Sequence, residues 1–379
     1  MYCILISGLF YLQMGSAIVR PWVHSRDGIR AVEWLQAACG VRTVTDKNWH
    51  FYALFRAFST LGEEIFSLMP LLFWFGWPTV SLPFATNFAG VILLGQYLKD
   101  VYKLPRPAVY PKTNIIRLET HFETEYGFPS THSTSGLMPL VVLLALQRHH
   151  PALHALLPSW IYPSIYFLAI LVGLSRLYMG VHSIADVVGG LGIGTAGVLC
   201  LHRVGDHLDD FMYHSRAGIV IPLISLIWFC CFYPKGRPWS AAWGTASQIF
   251  GTWFGVATSA NVILTVPSLQ WIATRLSLNS SRPASEWRLG KIMYELAVGV
   301  VVAGLSRVIS KALTQGVALA LVERGIVQPH KDEERDTLGR PVPKTKLYCV
   351  EVPTRLASYS FLAFSVVILT PAAWVALGI

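Results

Sequence analysis

Hydrophobic residues in this chain fall in long, charge-poor runs separated by short polar segments rich in Gly, Pro, Arg and Asp. A helix needs about 20 apolar residues to cross a bilayer. Runs near that length occur at 53–77, 84–100, 134–148, 159–176, 183–201, 217–233, 245–265, 291–311 and 355–377, and each is predicted to be a membrane span. Residues 312–324 are apolar but short, which predicts a re-entrant or interfacial piece. Residues 1–19 carry no charged side chain before Arg20 and lack the basic opening of a signal peptide. A signal segment and a short spanning or interfacial helix both stay open for them. The stretches 202–216 and 326–346 are polar, the second rich in Pro and charge, and predict solvated loops. The predicted fold class is all-α, a polytopic transmembrane bundle. It divides into an interfacial N-terminal segment (1–52), a core carrying the polar clusters (53–233) and additional C-terminal spans (234–379).

Composition sharpens the picture. The 379 residues are 53% hydrophobic and 13% charged, about half the charged share of a soluble domain. The formal net charge of +9 fits attraction to anionic headgroups, and it leaves cations to hold an anion. No basic run with interleaved aromatics suggests nucleic acid. The six cysteines form no CxxC or metal spacing, so neither a disulfide framework nor a metal site is expected, and no cofactor is implied. Gly190 and Gly194 form a GxxxG pair suited to close helix packing.

Three segments concentrate the polar groups at span ends: KDVYKLPRP (99–107), PSTH (129–132) and SRLYMGVHSIAD (175–186). The end of one span and the start of the next share a membrane face, so all three converge on one side. Ionisable groups at such depth are expensive and point to function. Lys99, Arg106 and Arg176 supply cations suited to phosphate oxygens, while Ser130, Thr131 and nearby amides could complete a cradle. His182 and Asp186 lie four apart on one helical face, so the carboxylate can fix the imidazole tautomer and free the other nitrogen for attack. His132 is the remaining candidate acid and base.

These segments resemble the three motifs of the type 2 phosphatidic acid phosphatase family, K-x6-R-P, P-S-G-H and S-R-x5-H-x3-D. One position departs, because Thr131 stands where most members have Gly. PSTH and its flanks, GQYLKDVYKLPRPA (95–108), TEYGFPSTHSTSG (124–136) and LSRLYMGVHSIAD (174–186), resemble the sphingosine-1-phosphate phosphatase branch. The resemblance implies a six-helix phosphatase core with extra spans, in the endoplasmic reticulum membrane, with its site facing the lumen. It implies metal-independent hydrolysis of a lipid phosphate monoester, such as a long-chain base phosphate, through a phosphohistidine on His182. Its partners are then that substrate and membrane lipids. Glu119, Glu123 and Glu125 lie close to PSTH and are candidates to pair with the amine of such a substrate. Alternatives are a broad lipid phosphate or sugar phosphate phosphatase, a transporter-like bundle that only binds an anion, and, remotely, a vanadate haloperoxidase.

Overall fold

The structure, a computed structural model, describes residues 19–64, 69–75, 78–110, 112–119, 123–235, 238–281 and 289–378. The expectations for the N-terminal run therefore lie outside the described residues up to position 18. The helices are α1 (Arg26–Ala38), α2 (Trp49–Glu64), α3 (Met69–Phe75), α4 (Pro78–Tyr102), α5 (Thr131–Ser135), α6 (Pro139–His149) and α7 (Ile161–Tyr178). They continue as α8 (Ile184–Asp209), α9 (Val220–Phe232), α10 (Ala241–Thr265), α11 (Gln270–Ser281), α12 (Leu289–Glu323), α13 (Tyr348–Phe364) and α14 (Thr370–Ala376). Among the described residues the extended pairing is limited to two isolated bridges, and the chain is an all-helical, multi-pass membrane protein. Among the described residues five helices are long and apolar enough to cross a bilayer, or up to seven if each of two sharply bent pairs counts as one span.

Several predicted spans take another form. The run 53–77 falls on two helices, α2 and α3. The run 134–148 also divides, because Gly136 ends α5 and Pro139 opens α6. At 11 residues α6 spans only about 16 Å, short of a bilayer core. Conversely, 291–311 and 312–324 are one helix, the 35-residue α12, since nothing in the Lys311–Thr314 junction breaks a helix. Nearly all of the loop expected at 202–216 is helical too, because α8 continues to Asp209 and a π-helical turn follows over Asp210–His214.

A large apolar core joins α4, α6, α7, α8, α10 and the residues after α13 through Phe84, Phe88, Leu140, Ala169, Val198, Ala257 and Val367. Buried polar groups are satisfied across helices. Asn261 of α10 donates to the carbonyls of Met212 and Ser215 at 2.8 Å each, covering the bend before α9. The outer face of α12 carries exposed Val300, Leu305, Val308 and Leu313, as lipid contact requires.

The GxxxG pair of α8 places the PSTH segment. A Cβ on Gly190 would sit 2.1 Å from the Ser130 carbonyl oxygen, and one on Gly194 3.1 Å from that of Thr134. Thr134 Oγ1 also donates to the Gly190 carbonyl at 2.8 Å. Only glycine permits this approach of α8 to α5. Gly190→Ala should therefore abolish activity and lower thermal stability in detergent, by about 1–3 kcal/mol as overpacking typically costs. Gly192→Ala, on the same helix with nothing within 4 Å of the added carbon, should leave both unchanged. Fluorescence-detected melting and an activity assay compare the two; equal behaviour contradicts the packing role.

Candidate active site

Lys99 lies in the last turn of α4, and Arg106 follows where the helix has ended at Tyr102. Ser130 and Thr131 begin α5, Arg176 is in the last turn of α7, and His182 and Asp186 flank the start of α8. All eight predicted site residues, His132 among them, are buried. Arg176 is 0%, His182 1% and Lys99 1% exposed, so the cations must find partners inside the protein.

His182 sits between an obligate donor and a carboxylate. Arg106 Nη1 lies 3.2 Å from His182 Nε2, and His182 Nδ1 lies 3.4 Å from Asp186 Oδ2. A guanidinium can only donate, so Nε2 must accept and the imidazole proton belongs on Nδ1. The 3.4 Å separation is longer than a charge-assisted hydrogen bond. Asp186 Oδ2 is engaged at 2.7 Å by the Ser183 amide, and Ser183 Oγ accepts from the Asp186 amide at 3.2 Å. This reciprocal pair is a capping box with Asp at the third helical position. One carboxylate thus opens α8 and stands beside the histidine.

Burial first, then the fields of Arg106, Arg176 and Lys99, hold His182 well below the ordinary 6.5. The same burial, with Arg176 and Lys99 foremost among the charges, depresses His132. Both imidazoles are thereby held neutral at pH 7.

The sequence reading missed what holds the cations. Lys99 Nζ donates to Glu125 Oε2 at 2.7 Å, and Arg106 donates through Nε to the Glu125 carbonyl at 3.1 Å. Thr245 of α10 donates to Glu125 Oε1 at 3.1 Å. Arg176 Nη1 donates to Glu119 Oε2 at 2.7 Å and to Ser59, while Arg56 donates to Glu119 Oε1 at 2.7 Å. Burial raises both carboxyls, yet Arg176 and Arg56 around Glu119, and Lys99 and Arg106 around Glu125, leave each below its ordinary value. Glu123 pairs with Arg340 at 2.9 Å. The suggestion that these three carboxylates await a substrate amine is therefore corrected: all three are committed to arginine or lysine. Their acidic spacing was visible in sequence, but nothing local revealed which cations they face.

Ser130 is an N-cap. Its hydroxyl accepts from Ser133 Oγ at 3.0 Å and from the Ser133 amide at 3.4 Å. Thr131 Oγ1 lies 3.5 Å from Lys99 Nζ. Its methyl fits where α4 has Gly95, since a Cβ there would approach within 2.8 Å. The extra bulk of Thr131 is thus absorbed on its neighbour. Among the described residues no group of three or more His, Cys, Asp or Glu is placed to hold a metal ion.

Residues 79–208 match the family model described as the PAP2 superfamily. Sphingosine-1-phosphate phosphatase 1 of Mus musculus is 28% identical over 352 residues, 88% of this chain and 74% of that protein. A dihydrosphingosine 1-phosphate phosphatase of Schizosaccharomyces pombe is 28% identical over 191 residues, 47% of this chain and 44% of its own length. A solved transmembrane PAP2 type phosphatidylglycerolphosphate phosphatase from Bacillus subtilis aligns with 52% of this chain and 96% of its own, at 24% identity and a TM-score of 0.37. The segment that matches the PAP2 superfamily model contains Lys99, Arg106, His132, Arg176, His182 and Asp186, so the chain is similar to that superfamily over the whole stretch that carries the three polar segments.

Proposed function

We propose that the chain dephosphorylates a long-chain base phosphate, such as sphingosine-1-phosphate, through a phosphohistidine on His182 and without a metal ion. The observation that carries the reading is the position of His182 Nε2. It is an unprotonated nitrogen 3.2 Å from the Arg106 guanidinium, with Nδ1 turned to Asp186. The names of the relatives, and the PSTH flanks, support the substrate class.

The Nε2 lone pair attacks phosphorus, and the bond from phosphorus to the lipid oxygen breaks in line. Lys99, Arg106 and Arg176 take up the charge that spreads over the equatorial oxygens. Asp186 stabilises the imidazolium as it forms, drawing the 3.4 Å contact into a charge-assisted bond. The leaving alkoxide needs a proton. His132 is neutral among these cations, and the arriving phosphate brings the negative charge that favours its protonation. His132 then gives that proton to the alkoxide. In the second step neutral His132 takes a proton from water, whose oxygen attacks phosphorus. The P–N bond breaks, inorganic phosphate leaves and His182 is restored. The alternative of a silent anion binder needs neither the Asp186–His182 pair nor His132.

Four measurements test this reading. His182→Ala should lower turnover of sphingosine-1-phosphate by about 10⁴-fold or more, as loss of a nucleophile does. His132→Ala should accumulate an acid-labile phosphoenzyme, and the wild type should remain active in EDTA and favour the long-chain base phosphate over phosphatidate in mixed micelles. Activity in His182→Ala, chelator-induced loss restored by magnesium or zinc, or preference for phosphatidate each removes the corresponding part.

Nitrogen-15 imidazole spectra at pH 6.5 should find His182 neutral with its proton on Nδ1. An ordinary histidine is half charged there, whereas the depressed group stays neutral until the pH falls further. An imidazolium signal for His182 at pH 6.5 contradicts the assignment. The family resemblance also supports an endoplasmic reticulum location with a luminal site. Cysteine placed at Asn114, in a background lacking native cysteines, should react with impermeant maleimide only after sealed microsomes are opened. Labelling from the cytosolic side reverses the orientation.

A further inference from the structure

A cavity of about 260 Å³ within the bundle takes no part in the chemistry above. It is lined by Ser81 and Ala85 of α4, Gln248, Thr252 and Val256 of α10, and Ala363 of α13, with apolar surface predominating. Two helix stripes lead from it to the cradle. On α10, Thr245, Gln248, Thr252 and Val256 are three, four and four apart, which is one helical face. Thr245 holds Glu125, the partner of Lys99. On α4, Ala85, Phe88, Ile92, Gln96 and Lys99 form the matching stripe, with Phe88 through Lys99 all buried. The two helices pack together and run antiparallel, since the end of α4 meets the start of α10 through Glu125. At about 1.5 Å per residue, the α10 lining begins roughly 5 Å from the level of Thr245 and reaches roughly 17 Å.

We propose that this cavity receives the hydrocarbon chain of the substrate while its phosphate lies among Lys99, Arg106 and Arg176. The proposal rests on the reading of the function above and names how its chain is recognised. The volume exceeds the roughly 150 Å³ that admits a benzene ring, enough for the distal part of one alkyl chain. A second chain of a diacyl lipid is left outside. Between cavity and cradle, the Gln96 carboxamide oxygen is buried with no hydrogen-bond partner among the described residues. A hydroxyl or ammonium next to the substrate phosphate would satisfy it.

Photolabelling tests the placement without any mutation. A long-chain base phosphate with a diazirine at its chain end, bound to the full-length protein in vesicles, should label peptides around 81–85, 252–256 and 362–367. Labelling confined to the outer face of α12, or the same peptides labelled by a diazirine phosphatidylcholine but not by the base phosphate, overturns it. Ala85→Phe and Ala363→Phe should lower kcat/KM for the long-chain base phosphate by about tenfold or more, and leave hydrolysis of p-nitrophenyl phosphate unchanged. Wild-type efficiency on both substrates in both variants overturns it as well. The soluble monoester separates the two readings: if it too is hydrolysed without His182, the mechanism fails, whereas the photolabel still reports on the cavity.

Discussion

The site depends on two buried carboxylates. Glu119 and Glu125 balance the buried charges of Arg176, Lys99 and Arg106, which water cannot hydrate, and Glu119 also pairs with the half-exposed Arg56. Removing one partner of such a pair typically costs about 3–5 kcal/mol, because the other charge is left uncompensated. With Asp186 counted, four cations face three carboxylates, so the cluster keeps an excess of positive charge. That excess suits a phosphate. The pairing also gives the cations fixed positions before substrate arrives, and fixed charges stabilise a transition state better than mobile ones.

Backbone packing sets where these charges stand. Gly190 and Gly194 bring α8 against α5, and the Ser130 amide donates to the Asp186 carbonyl at 2.9 Å. The PSTH segment and the histidine-bearing turn are therefore joined through main chain rather than through the reacting side chains. The capping box between Ser183 and Asp186 fixes the first turn of α8 independently. His182, one residue before that box, inherits its position from a structure that stands without it.

The sequence made the three polar segments of the candidate site legible because their pattern is local: span ends, a four-residue spacing, a proline after an arginine. It also exposed the helices at 84–100, 159–176 and 183–201, whose apolar runs are unbroken. It misled where hydropathy and helix breaking disagree. Gly136 and Pro139 divide an apolar run, whereas Lys311 interrupts hydropathy without interrupting α12. The partners of the cations were out of reach for another reason. Glu125 meets Lys99 across 26 residues and Thr245 across 120, and the acidic loop gives no local signal of which cations it will face. The S-x-x-D capping box at 183–186 was readable, but the interest of Asp186 as a histidine partner hid its second role.

Thr245 changes what the C-terminal helices are for. The family match ends at residue 208, and every proposed catalytic residue lies before that point. Yet Glu125 is held from α10, and its segment is held again by Arg340 on Glu123 and by Thr337 Oγ1 donating to the Thr124 carbonyl at 3.3 Å. The loop 326–346 is thus docked on the acidic segment beside the cradle. A phosphate cradle alone cannot distinguish one monoester from another, since it meets the group that all of them share. Discrimination has to come from elements that meet the rest of the molecule. Under the proposed placement of the substrate chain those elements are α10 and α13, which lie outside the matched segment and line the cavity, and α10 also braces the cradle through Thr245. The two tasks sit on separate turns of α10: Thr245 braces Glu125, while Gln248, Thr252 and Val256 line the cavity further along the same helical face.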